Sequence, residues 1–126
     1  FIYYIRSQCG EMLDNANITV LFSIPEKIPD LVWQGKQKRN LYLLVKEAIH
    51  NIIKHSKANE VHINVCIFSQ LISIEVIDNG IGISETTKNK SAHGLANFNS
   101  RASAIGGKAF VHSSNIGTTI RFEIPI

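Results

Sequence analysis

Two cysteines, three prolines, one methionine and one tryptophan in 126 residues leave several protein classes without support. Cys9 and Cys66 lie far apart, with neither CxxC spacing nor a Cys/His cluster, which excludes a disulfide scaffold and a zinc site and suits a reducing, cytoplasmic compartment. Arg6, Lys46 and Glu75 interrupt the most apolar segments, so no stretch approaches the roughly 18 apolar residues of a membrane span. Charged residues are only 18% and hydrophobic ones 44%, a balance that favours a folded chain over a disordered one. Neither GxxxxGKS nor GxxxxGKT occurs, and HExxH is absent, so a P-loop and a zinc-protease helix are excluded by motif. Thirteen Lys and Arg against ten Asp and Glu give a net charge of +3, dispersed except at Lys36-Gln37-Lys38-Arg39. That excess suits an anionic ligand without naming one. The length fits a single module. Because the chain opens on Phe1 without methionine or a secretory pattern, it is expected to be a piece of a longer protein.

What is present is clear periodicity. Tyr4, Ile5, Met12 and Leu13 suggest the end of a helix over 3–15, closed by Asp14-Asn15-Ala16-Asn17. Ile18, Val20, Phe22 and Ile24 alternate with Thr19 and Ser23 as a strand ended by Pro25. Leu41, Leu44, Val45, Ala48 and Ile52 recur at helical spacing from Asn40 to Lys54. Val61 to Ile67 and Ile72 to Val76 alternate as a hairpin around Ser69-Gln70. The segment 80–92 is polar and rich in glycine, serine and lysine, and is expected as a mobile loop. A helix from Gly94 to Ile105, capped by Gly106-Gly107, and strands at 109–113 and 118–124 complete the chain. Helices and strands alternate only partly, and neighbouring strands form hairpins. The predicted class is therefore α+β, a two-layer sandwich with a mixed five-stranded sheet and about three helices on one face.

Three elements carry candidate chemistry. On the long helix, Glu47, Asn51 and His55 recur every fourth residue as a polar stripe beside the apolar arc, with Lys54 just beyond. There Glu47 could act as general base, Asn51 as an oxygen ligand for Mg²⁺ and Lys54 as a phosphate contact. Taken alone, the stripe reads more readily as a solvated helix flank. In the second element, period two places Asp78 on the face of Ile72, Ile74 and Val76, so a carboxylate points into the layer between sheet and helices. Burying it without a donor costs several kcal/mol. Asn79-Gly80-Ile81-Gly82 follows, where two glycines let a flat ligand approach the backbone, although Asp-Asn-Gly is also an ordinary turn signature. In the third, Thr118 shares a strand face with Ile120, Phe122 and Ile124, sending a hydroxyl into the same layer as the carboxylate.

These elements, in this order, resemble the GHKL ATPases. The run Glu47-Ala48-Ile49-His50-Asn51-Ile52-Ile53-Lys54-His55 is similar to their N box, and Asp78-Asn79-Gly80-Ile81-Gly82 to their DxGxG box. His93-Gly94-Leu95 and Gly117-Thr118-Thr119 are similar to their later glycine motifs. Spacing and size resemble most closely the ATP-binding catalytic (HATPase_c) domain of two-component sensor histidine kinases, in the subgroup paired with response regulators of the NarL type. The resemblance covers about Ile18 to Ile126 and implies the Bergerat fold. Residues 1–15 would then be the end of a helix or linker from an upstream dimerisation domain, and 16–126 the catalytic domain.

The resemblance also implies roles. Glu47 would be the general base or orienter near the γ-phosphate, Asn51 the Mg²⁺ ligand, and Lys54 and His55 phosphate neighbours. Asp78 would accept a hydrogen bond from the adenine amino group, Gly80 and Gly82 would shape the adenine wall, and Thr118 would hold a water beside it. Gly82 to His93 would be the ATP lid. Gly94 and Leu95 would open the helix whose amides meet the phosphates, in accord with the affinity of helix N-termini for anions. One departure is Ala92, where such kinases usually carry glycine two places before the Gly-Leu pair. The implied cofactors are ATP and Mg²⁺. The implied partners are the parent's own histidine-bearing domain and a response regulator, with no direct nucleic-acid contact, in a homodimeric parent that could be anchored in the inner membrane.

In the family the acceptor histidine is usually followed by an acidic residue, and none of His50, His55, His62, His93 or His112 is. The acceptor is therefore expected outside these residues. An anti-sigma-factor serine kinase would share the same boxes. A non-catalytic module using Lys36 to Arg39 against an acidic partner is the alternative from another class.

Overall fold

The computed structural model describes residues 1–29, 33–80 and 98–126. Helix α1 (Ile2–Asn15) buries Ile2, Ile5, Cys9 and Leu13, one apolar stripe at helical spacing. Asn17 ends it in the left-handed region at φ 58°, and the Ile18 amide returns to the Leu13 carbonyl at 2.9 Å. Strand β1 (Thr19–Ser23) leaves from there, with Thr19, Leu21 and Ser23 outward.

Helix α2 (Gly35–Asn51) begins earlier than the apolar period indicated. The Gln34 amide donates to Gln37 Oε1 at 2.7 Å, and the Lys38 amide donates to the Gln34 carbonyl at 3.1 Å. Lys36 to Arg39 therefore lie in the first turns of a helix and not in a preceding loop. The far end differs too. After Asn51 the backbone widens into a π-turn, Ile52–Ser56, whose i→i+5 bonds advance each residue by less than an α-helix does. The straight Glu47–Asn51–His55 line expected of a uniform helix thus bends at Asn51.

Strands β2 (Glu60–Phe68) and β3 (Leu71–Asp78) form the expected hairpin, and β4 (Lys108–Ser114) and β5 (Gly117–Pro125) form a second. The sheet order is β1-β2-β3-β5-β4, with β1 parallel to β2 and every other pair antiparallel, so the sheet is mixed. Residues 98–103 are helical, and Gly106 at φ +77° closes that turn as the glycine pair suggested. Phe98 meets Phe122 edge-on at 5.6 Å and holds this helical segment against β5.

Leu13, Leu41, Leu44, Ile49, Ile72, Ile74, Phe122 and Ile124 are essentially inaccessible and form one core between the sheet and its helices. Leu21, His62, Cys66 and Phe110 occupy the opposite, exposed face. The α+β two-layer arrangement with helices on one face of a mixed five-stranded sheet is the expected class. Among the described residues, no helix is long and apolar enough to cross a membrane.

Candidate functional site

The alternation that fills the core also delivers polar groups to it. One row across the sheet runs Val20, Val61, Asp78, Thr118, Ser113, each residue paired with the next. Val76 and Ile120, two residues from Asp78 and Thr118 along their strands, are buried, so period two sends the carboxylate and the hydroxyl into the helix-covered layer. Only 4% of Asp78 and 7% of Thr118 is exposed, which makes them two of the few buried polar side chains among the described residues. The Gly80 amide donates to Asp78 Oδ1 at 2.9 Å. Burial pushes the Asp78 carboxyl above its ordinary value, against the lowering pull of the Gly80 and Thr118 amides. A carboxylate kept at that cost in the centre of a sheet marks a candidate binding site. Thr118 Oγ1 shares a hydrogen bond with Ser113 Oγ at 3.0 Å.

Two glycines make this geometry possible. Gly117 sits at φ +148°, and a Cβ on it would stand 2.1 Å from the Asp78 carbonyl oxygen. A Cβ on Gly80 would stand 2.0 Å from the carbonyl oxygen of Ser56, the last residue of the π-turn. The Asp78 turn and the end of the π-turn are therefore in direct backbone contact. Ser56 is itself held, its Oγ donating to the Ile52 carbonyl at 2.9 Å and accepting from the Ala58 amide at 3.1 Å. Lys57, at φ 56°, turns the chain toward β2.

Asp78, Gly80 and Thr118 thus form one cluster, and the π-turn joins Lys54 and His55 to it through Ser56. Glu47, Lys54 and His55 are exposed and Asn51 is half-buried, all on one helix end. Among the described residues, none of these four side chains is hydrogen-bonded or ion-paired to another side chain, so their polar atoms are available to a ligand. Gly82, Gly94 and Leu95, the segment expected as the lid, Lys88, Lys90, Ala92 and His93 lie outside the described residues. Sequence reasoning passed over Ser56, Asn79 and Ser113. A serine at a helix end and an Asn-Gly pair read as loop and turn, and nothing in their spacing announces a distant contact.

A nucleotide's chemistry can be tested against this site. The buried carboxylate offers an acceptor for an exocyclic amine, and the glycines beside it let backbone pack directly on backbone at Ser56 and at Asp78 itself. The Asn51 oxygen, with no protein partner among the described residues, fits a hard cation that takes most of its ligands from phosphate and water.

A buried carboxylate on a central strand beside a helix end with unpaired polar groups marks a candidate ligand site. Residues 36–126 match the family described as histidine kinase-, DNA gyrase B-, and HSP90-like ATPase, and the chain belongs to that family. It is 34% identical over 123 residues to the sensor histidine kinase LiaS of Bacillus subtilis, covering 97% of this chain and 34% of LiaS. It is also 34% identical over 87 residues to the histidine-protein kinase/phosphatase DegS of Brevibacillus brevis, covering 68% of this chain and 22% of DegS. The chain spans about a third or less of the length of these relatives. The histidine kinase domain of the Erythrobacter litoralis EL346 blue-light activated kinase superposes with TM-score 0.77 at 19% identity, over 98% of this chain and 59% of that one. Acinetobacter baumannii histidine kinase AdeS gives 0.72 at 18%, over 98% and 62%. These superpositions show that the fold is shared with those proteins.

Proposed function

We propose that the chain is the ATP-binding catalytic domain of a sensor histidine kinase. It would bind Mg·ATP and transfer the γ-phosphoryl group to a histidine on a separate dimerisation domain, in two-component signalling. The observation that carries this reading is the buried Asp78 carboxylate facing Thr118 on the central strands of a family-matched sheet. Ionised Asp78 accepts the adenine amine while the Gly80 amide donates to its Oδ1, and Thr118 orders a water beside the base. Gly80 shapes the wall of that pocket. At the helix end, Asn51 would hold Mg²⁺, which would supply charge neutralisation at the phosphates. Lys54 and His55 contact the phosphates. Glu47 orients or deprotonates the attacking imidazole.

Residues 1–15 connect to an upstream dimerisation domain and 16–126 form the catalytic domain. The parent is a homodimer, and this domain acts in the cytoplasm. The downstream partner is a response regulator, of the NarL type by the resemblance of the sequence motifs, and the similarity to proteins named as histidine kinases supports the broader reading. The test is transfer of label from γ-labelled ATP to the parent's dimerisation segment supplied as a second polypeptide. Acid-labile, base-stable label on that segment supports the proposal. Label on serine of an added protein would favour the serine-kinase alternative, and ATP binding without any transfer would leave only a nucleotide-binding module.

A further inference from the structure

Asn79 follows the buried carboxylate, is itself exposed, and makes more side-chain hydrogen bonds than any residue of the candidate site. Its Oδ1 accepts from the Asn59 and Glu60 amides, both at 3.1 Å. Its Nδ2 donates to Asn59 Oδ1 at 2.6 Å, and its own amide donates to the Glu60 carbonyl at 3.3 Å. These bonds reach back about twenty residues, to the few residues that link the π-turn to β2. On the other side of the same link, Ser56 is pressed against Gly80. The link between Ser56 and Glu60 is thus gripped from both sides by the Asp78-Asn79-Gly80 turn.

We infer that Asn79 is a positioning residue that fixes the spacing between the base-binding carboxylate of Asp78 and the phosphate-side residues of the π-turn, Lys54 and His55. The inference rests on the nucleotide reading above and adds a residue to it. Asn79 need not touch the ligand. A ligand that engages only the Asp78 end is indifferent to the spacing, whereas a triphosphate that engages both ends at once gains affinity only when the two are held in register. Backbone amides left without Asn79 Oδ1 can be satisfied by water at this exposed position, so the fold tolerates the loss while the register does not.

The experiment compares adenosine and Mg·ATP affinities by NMR titration for the 126-residue chain and its Asn79→Ala variant. Mg·ATP should weaken by roughly tenfold, as loss of more than one hydrogen bond would allow, with adenosine held within about twofold. A general loss of stability would scale both ligands alike and leave their ratio unmoved. A second variant, Asn59→Ala, removes only the 2.6 Å side-chain bond and should shift the ratio in the same direction by less. An unchanged ratio in both variants, with the parent binding Mg·ATP, overturns the positioning role and leaves the nucleotide reading intact. A parent that binds neither ligand overturns both.

Discussion

Asp78 and Thr118 stand directly opposite each other on β3 and β5, both buried, a carboxylate and a hydroxyl in a layer filled mostly by aliphatic and aromatic side chains. No packing argument requires either polar group there. Replacing Asp78 by Asn keeps an acceptor for the Gly80 amide and removes the buried charge. The variant should melt a few degrees higher at neutral pH, roughly 2–5 °C for a domain of this size, while losing nucleotide affinity. Since burial raises the Asp78 carboxyl above its usual 3.8, its favourable contribution is complete below that value and is lost as pH rises through the folded-state titration. The stability gap between Asn and Asp should therefore vanish in acid and reach its full size near neutrality. Thermal melts from acid to neutral pH check this, and a gap that grows toward acid contradicts it.

The Gly80–Ser56 contact predicts a large effect from a small change. In Gly80→Ala the new methyl meets a backbone carbonyl, which cannot rotate away as a side chain can. The chain should lose about 3 kcal/mol or more of stability, since overpacking against backbone forces the turn or the π-turn to move. Urea denaturation measures this. A loss under about 1 kcal/mol would show that the two turns are not tightly joined.

The two thiols should behave differently. Cys9 is buried on α1 and its thiol is pushed up to about 12 by burial, whereas Cys66 lies exposed on the outer sheet face. Reaction needs the thiolate and access. One equivalent of a thiol reagent should react in the folded chain, at Cys66, and a second only on unfolding.

Much of this was legible beforehand, and the rest was hidden for identifiable reasons. Period two along 72–78 and 118–124 placed Asp78 and Thr118 on the core face, because a strand register leaves no freedom once the aliphatic residues are buried. The hairpins at 69–70 and 115–116 followed from the same alternation. The start of α2 was missed because Gln34 and Gln37 cap it, residues that carry no strong signal of their own. The π-turn was missed because apolar spacing continues through Ile52, while the change of pitch depends on Ser56 and its contacts. Parallel pairing of β1 with β2, and the reach of Asn79 to Asn59 and Glu60, are tertiary facts with no local pattern.

At the metal side, Asn51→Asp retains an oxygen ligand but adds a charge beside the phosphates. Nucleotide affinity should fall most at low magnesium and recover as magnesium rises. Equal losses at every magnesium concentration, read by titration, would remove Asn51 from the cation site.

The measurement closest to the central claim is calorimetric titration of ATP into the chain, with and without Mg²⁺, beside Asp78→Asn. Losing a charge-assisted hydrogen bond of about 1.5–3 kcal/mol should weaken binding by at least roughly tenfold. The account predicts magnesium-dependent binding by the parent and that loss in the variant. Binding by Asp78→Asn within a factor of about two of the parent, or no magnesium-dependent heat from the parent at all, would contradict it.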